Sequence, residues 1–481
     1  MKKLFGLLLA LLMIVTISGC GGGSNSGNGG GNASGSKEIV VWVGEESAEF
    51  YQKVCDDYVA NNTDFPYTIT VKGMDTGAVA GTVTNDPSAA ADIYTTAHDN
   101  IGKLASTQCA KPFTDEELIK QVLADNPVSF QNVIYSTLEG TEYLYGVPYI
   151  SQALFLYYNK ELVSDEQTQS FEGLREAAQA AGTKAITVTG DDGYNNSFAL
   201  LATKVDDHST TVKIFEGAEA VSGGSKGKSN CQGDDTVAIV RWLQDYAADP
   251  NGFKWASSDG WDADLRNKGC LSVIGGAWHY NTAKAALGET NLGIALIPTF
   301  TLTDKAVEGL SGVKAGDVYR GGTFADCKVF MINAHSDPNK YVALQQLVKY
   351  LSSKEVQNES YVNCLNVPAY VGASEFIKSA YDAGTVTESQ YNLACKQVEM
   401  AEWGIPQPFL TGTLNTYYYS KNAPAVFRAM VDKSAYPTTG DQIIEETESL
   451  EGIRRGLYLM EYLWMHGLNP ESFPETLPSE A

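Results

Sequence analysis

The sequence predicts an α/β fold built on open, largely parallel sheets, and three observations lead to it. Ile39-Val40-Val41-Trp42-Val43 is an apolar, β-rich run of the kind that lies buried on both faces. Phe50, Val54 and Tyr58 recur at every fourth position, which is one stripe of a helix. Tyr67, Ile69 and Val71 alternate, as a second strand would. Strand, helix and strand in that order join two parallel strands by a crossover. Open sheets of this kind bind ligands beyond the carboxyl ends of their strands, where the strand order switches. The loop 44–47 would lie there.

The pattern continues along the chain. Residues 153–158 form a short apolar run led in by Gly146-Val147-Pro148. A helix is expected from Ser170, with Phe171, Leu174, Ala178 and Ala181 on one face and Gly182 as its stop. Residues 185–188 read as a strand and Asp191-Asp192-Gly193 as a turn. Residues 238–246 and 341–351 read as helices, and 271–274 and 292–297 as strands. The stretch 217–235 is rich in Gly, Ser and Lys and reads as a surface loop. No repeat recurs at a period of 20 to 50 residues.

Length and composition set the limits. At 481 residues the chain is about three times the ~150-residue domain norm, so two or more units are expected. Hydrophobic residues at 43% and charged residues at 19% describe a globular chain. A net charge of −24 repels nucleic acid, whose binding needs a basic face. With 26 Tyr, 17 Phe and 7 Trp, rings can fill a core and still line a binding face.

The N-terminus reads as an address and an anchor. Lys2 and Lys3 precede an apolar run over 4–17, long enough for a signal-peptide core but short of the ~20 residues a span needs. The run ends Ile17-Ser18-Gly19-Cys20, which looks like a bacterial lipobox cut before Cys20, whose sulfur then carries lipid such as palmitate. Residues 1–19 are thus the signal peptide. Residues 20–36 are the lipidated cysteine and a tether of Gly, Ser, Asn and one Ala. The body is expected outside the cytoplasm, held to a bacterial cell membrane. Seven further cysteines lack C-x-x-C spacing. Their pairing is not legible from sequence, and most are expected to be buried thiols.

Several segments together resemble the extracellular solute-binding proteins of ABC importers, in the maltose/maltodextrin-binding branch. They are Ile39 to Glu45; Asp92-Ile93 with Ala97-His98-Asp99-Asn100-Ile101-Gly102; Gly146-Val147-Pro148 through Leu156-Tyr157-Tyr158-Asn159-Lys160; Gly275-Gly276-Ala277-Trp278 with Ile297-Pro298-Thr299-Phe300; and Ile332-Asn333-Ala334-His335-Ser336. They follow the family order over roughly residues 38–430. The resemblance implies a type II periplasmic-binding-protein-like fold, α/β, with two hinge-linked lobes around a central cleft. The expected N-terminal lobe is 37–150 plus 300–334, and the C-terminal lobe is 151–299 plus 335–481. The hinge is expected near Ser151, Phe300 and His335. Residues after about Arg454 have no clear counterpart and are expected to pack against a lobe.

The resemblance also implies site residues. Trp278 corresponds to a ring that stacks on sugar, Asp99 to a carboxylate that accepts sugar hydroxyls, and Glu45 to an acidic ligand contact. Asn100 replaces a usual Arg, and Glu46 stands where maltose binders can carry Lys. Gln152 sits where a family Glu contacts sugar. Tyr194 resembles a stacking Tyr, and Tyr417-Tyr418-Tyr419 lies in the region of a stacking aromatic, with Trp403 a substitute. These types suit a sugar, whose C–H faces need rings and whose hydroxyls need planar polar groups. The bland readings are a core Trp, a capping Asp, solvated glutamates and a plain turn at Tyr194. Trp255 and Trp261 read as packing residues.

Catalytic readings are weaker. The acid pairs Glu45/Glu46, Asp191/Asp192 and Asp234/Asp235 do not make a glycosidase, whose two carboxylates must face each other ~5–9.5 Å apart. Gly227-Lys228-Ser229 lacks the upstream glycine of a phosphate loop, because Ser222 stands there. No G-x-S-x-G elbow on a strand-to-helix turn and no H-E-x-x-H occurs, and the rest of a calcium loop around Asp262 and Asp264 is missing. The expectation is therefore a monomeric binder of an oligosaccharide, with no catalytic residue, metal or cofactor. It would deliver the ligand to an ABC importer permease. The alternatives are a cell-surface glycoside hydrolase or polysaccharide-holding protein, and an importer protein for a polyamine or metal complex.

Overall fold

The computed structural model describes residues 37–138, 140–206, 232–257, 260–407, 422–434, 436–437, 443–444 and 447–466. The signal peptide, Cys20, the tether, Cys231, most of the expected 217–235 loop and Tyr417-Tyr418-Tyr419 lie outside those residues. Asp234 and Asp235, expected in that loop, instead open the helix Asp234–Ala248. Carboxylates in a first helical turn are favoured by the exposed N–H groups there.

Two sheets carry two cores. The first sheet runs Thr68–Met74, Glu38–Gly44, Ile93–Ala97, Asp326–Asn333 and Ala110–Lys111, with Val147–Gln152 also paired to Asp326–Asn333. Its first three strands are parallel, as the alternation predicted. The joining helix is Ala48–Asn61, which buries Tyr51, Val54 and Cys55 and leaves the rims of the expected stripe, Phe50 and Tyr58, partly buried. The second sheet runs Phe253–Ala256, Lys184–Thr189, Cys270–Gly275, Phe155–Asn159 and Leu292–Ala295. The expected helix stands at Phe171–Ala181. Ser170 Oγ accepts from the Gly173 amide at 3.0 Å, and Gly182 closes the helix at φ +67°. Both signals follow from the unpaired backbone groups at helix ends.

Strand direction puts the two carboxyl edges side by side. In the first sheet Asp326 starts its strand opposite Gln152, at the edge where the parallel strands end. In the second, Phe155 starts its strand opposite Gly275, again at the carboxyl edge. Only Ala153 and Leu154 lie between Gln152 and Phe155. Three Cα steps span at most roughly 10 Å, so the switch points of both sheets open onto one place.

Among the described residues the cores exchange chain at three main passages, with Ala369 returning once more to the first core, and these differ in part from the expected hinge. The first is at Ser151–Gln152, between Ile150 in the first core and Ala153 in the second. The second lies between Phe324, in the second core, and Cys327, in the first. The third lies between Val356, in the first core, and Tyr361, in the second. Among the described residues no passage lies near Phe300 or His335. Strand pairing explains the former: Thr299–Thr301 bonds to Val318–Arg320, which bonds to Thr203–Lys204, keeping this stretch with the second core. The helix Tyr341–Leu351 explains the latter, because it buries Leu344, Leu347 and Val348 in the first core. Backbone bonds lace the passages: the Ser151 amide donates to Val367 O at 2.8 Å and the Ala325 amide to Ile405 O at 2.7 Å.

The C-terminal segment packs as expected. The helix Leu450–His466 buries Ile453, Leu457, Leu459, Met460 and Leu463 in the second core, and Arg454 pairs with Asp234. Cys55, Cys109, Cys270 and Cys327 are buried free thiols, and Cys364 and Cys395 are half-buried ones. No helix among the described residues is long and apolar enough to cross a membrane.

Candidate binding site between the strand ends

The turn after Cys270–Gly275 presents the most exposed large ring of the site. Trp278 is 44% exposed. Its indole folds back over Gly276, where an added Cβ would lie only 2.3 Å from the ring. The buried Tyr157 hydroxyl holds the turn by donating to Gly276 O at 2.9 Å. Behind the indole stands His279, whose burial among Trp261 and Trp278 lowers its pKa to about 4 and keeps it neutral.

The next strand supplies Tyr194. After Lys184–Thr189 the chain turns at Asp192, whose carboxylate accepts from the Tyr194 amide at 2.8 Å and caps the short helix Gly193–Asn196. The Tyr194 ring is half-buried. It stacks on Phe324 at 5.4 Å and 24°, and lies 6.2 Å from Trp278 at 51°. Its hydroxyl donates to Asp326 Oδ2 at 2.8 Å. Two rings set at an angle on a polar floor suit a ligand with apolar faces and a hydroxyl rim.

The first sheet supplies a buried polar cluster. The turn His98–Asn100 follows Ile93–Ala97. His98 Nε2 lies 2.8 Å from Gln407 O, and His98 Nδ1 lies 3.9 Å from Asp326 Oδ1. The Gln407 amide donates to Asp326 Oδ1 at 3.2 Å. Burial pushes Asp326 up to about 7, against the Tyr194 and Gln407 bonds that favour its charged form. Burial likewise pushes Asp99 up to about 7; His98 opposes that shift and Asp326 adds to it. Burial lowers His98, keeping the imidazole neutral. Half-buried Lys328 is also lowered by desolvation, while Glu46 and Asp75 pull it back.

The expected residues therefore divide. Tyr194 and Trp278 come together. Asp99 is only 4% exposed, and its Oδ1 accepts from half-buried Asn100 at 3.0 Å. Glu45 and Glu46 are exposed in the turn after Glu38–Gly44, and Gln152 lies half-buried opposite Asp326. Tyr417 and Tyr418 lie outside the described residues. Trp403 is half-buried under the Arg320 guanidinium, 5.2 Å from its ring. Trp261 is core and Trp255 Nε1 donates to Asp432 at 2.8 Å, so both pack as expected. Sequence reasoning missed Asp326, Phe324, His98 and Gln407. An acidic residue opening a strand with an apolar middle, Val329 to Ile332, was the available signal. Among the described residues no group of three or more His, Cys, Asp or Glu is placed to hold a metal ion.

Comparisons with known proteins agree with this layout. A family model described as bacterial extracellular solute-binding protein matches residues 53–392. A maltooligosaccharide ABC transporter solute-binding lipoprotein of Streptococcus pneumoniae is 22% identical over 385 residues, 78% of this chain and 81% of the relative. The solved structure of a maltodextrin-binding protein from L. casei, without ligand, is similar with TM-score 0.69 at 18% identity, covering 89% of this chain and 99% of that one. A Listeria monocytogenes maltose-binding protein in complex with maltose has TM-score 0.61 at 17% identity, with 88% and 97% covered. A Streptococcus pneumoniae protein in complex with maltopentaose has TM-score 0.59 at 16% identity, with 89% and 99% covered. At such identities the likeness establishes the fold, the two-lobed periplasmic-binding-protein architecture.

Proposed function

The chain belongs to the bacterial extracellular solute-binding protein family, and from that membership we propose that it captures malto-oligosaccharide for an ABC importer. The relatives' names support the ligand class and the transporter. The observation that carries the reading is Trp278, a 44% exposed ring set against Tyr194 where the carboxyl ends of the two sheets meet. A ring left in water at such a point is a platform for an apolar ligand face. In this reading Glu45, Glu46, Asn100 and Gln152 line the polar rim, Tyr417 or Tyr418 adds a further ring, and Asp99 supports Asn100 from beneath.

The two lobes follow the cores: 37–150 with 327–356, and 153–324 with 361–463. Closing them expels water, and only interactions that the ligand makes with the closed state and not with the open one drive closure. The loaded monomer then docks on the permease. Lipid on Cys20 and the tether hold it there and raise its effective concentration.

The protein is a binder and not a hydrolase. Asp99 and Asp326 are a pair of carboxyls with raised pKa values, which a hydrolase would need. However, they are 4% and 2% exposed, and a glycosidase needs its two carboxyls open to the bond they cleave. The test is calorimetric titration of the mature chain with maltose to maltopentaose, with sugar chromatography alongside. Binding without product is expected, and Trp278→Ala should weaken it by roughly tenfold or more. Product formation would overturn the binder reading. Silence to sugars with a response to a polyamine or metal ion would overturn the ligand class.

A further inference from the structure

The polar end of Tyr194 is tied across the boundary between the two cores. Its ring and its helix belong with the second sheet, whereas the carboxylate receiving its hydroxyl opens the central strand of the first. Both Asp326 oxygens are engaged, Oδ2 by the Tyr194 hydroxyl at 2.8 Å and Oδ1 by the Gln407 amide at 3.2 Å. At 2% exposure the carboxylate cannot itself reach a ligand.

The segment that carries Asp326 also carries Phe324, two residues earlier. Alternate residues of an extended segment lie on one face, so this passage offers Tyr194 a flat support at 5.4 Å and an anchor for its hydroxyl. An aromatic ring on Cα has two side-chain torsions. Stacking on Phe324 restrains the plane of the ring, and the bond to Asp326 fixes how far it reaches. The face turned away from Phe324 is then held at its 51° angle to Trp278.

Resting on the carbohydrate reading above, we propose that Asp326 is a positioning residue for ligand binding. It locks the Tyr194 ring, through its hydroxyl, into the angle at which Tyr194 and Trp278 together grip one sugar unit. Asp326 touches no ligand. It removes rotamer freedom that the ring would otherwise lose on binding, which is how preorganisation raises affinity.

The test is a double-mutant cycle on maltotriose affinity in the mature chain, using Tyr194→Phe, Asp326→Ala and the pair. Tyr194→Phe keeps the ring and deletes only the anchored hydroxyl. Each single change should weaken binding by up to roughly tenfold, because a buried hydrogen bond that fixes the ring is lost. The pair should be no weaker than the worse single change, since both break the same link. Asp326→Asn, which keeps an acceptor oxygen, should recover part of the affinity. A merely structural role would lower the melting temperature of Asp326→Ala and leave Tyr194→Phe at wild-type affinity. That result, or effects that multiply in the pair, would overturn the inference. Should Asp326→Ala fail to fold, Tyr194→Phe alone decides. Wild-type protein that binds no malto-oligosaccharide would overturn the carbohydrate reading and this inference together; normal wild-type binding with an unaffected Tyr194→Phe overturns this inference alone.

Discussion

Asp99 and Asp326 keep their protons in the folded protein up to about pH 7, whereas an ordinary aspartate releases its proton near 3.8. Between those values the folded chain binds more protons than the unfolded one, so these two groups cost stability as pH rises from about 4 to 7. His98 works the other way. It stays neutral when buried, while the unfolded chain takes up a proton near 6.5, so acidification below that pH costs stability. Asp99→Asn removes one titrating group and leaves a side chain of similar shape. On going from pH 5 to pH 8 the urea midpoint should fall less, or rise more, in Asp99→Asn than in the wild type. An unchanged difference would show that Asp99 is ionised throughout. None of this was legible in the sequence, which offered Asp99 as a ligand contact or a cap. Burial is a property of what packs around a residue, and here one neighbour that adds to the shift is Asp326, distant in the chain.

Elements were the most legible scale where one local signal governed them. The helix Phe171–Ala181 shows both ends in its sequence, Ser170 before and Gly182 after. Ser170→Ala should therefore cost about 1 kcal/mol in urea unfolding, because the Gly173 amide loses its partner. A cost near zero would mean that water replaces the hydroxyl there. Strands were as clear where apolar runs were short and bounded, as at Cys270–Gly275. The turn that presents Trp278 was legible too, since Gly275-Gly276 leaves the space into which the indole and His279 fold. The passages between the cores were less legible. The partnering of Thr299–Thr301 with Val318–Arg320, and of that strand with Thr203–Lys204, is long-range, and no local pattern announces it. Asp326 and Phe324 escaped notice for the same reason, because their role lies in what Tyr194 brings to them.

At the scale of the whole molecule the first core is discontinuous. Its sheet places Asp326–Asn333 between Ile93–Ala97 on one side and Val147–Gln152 on the other. A chain ended after residue 325 lacks that strand, along with Leu344, Leu347 and Val348. Amides of Glu38–Gly44 and Ile93–Ala97 should then exchange freely, while in the full chain they are protected. Protection retained in the shortened chain would show that the N-terminal segment folds unaided.

The late arrival of that central strand bears on export. A polypeptide threaded outward from its N-terminus delivers residues 37–150 long before residue 326. At the ~5–20 residues per second of synthesis, that interval is on the order of ten seconds or more. Throughout it the leading segment lacks the strand that joins Ile93–Ala97 to Val147–Gln152. The interleaving that lets Asp326 reach both sheets thus also leaves the first sheet incomplete until most of the chain has emerged.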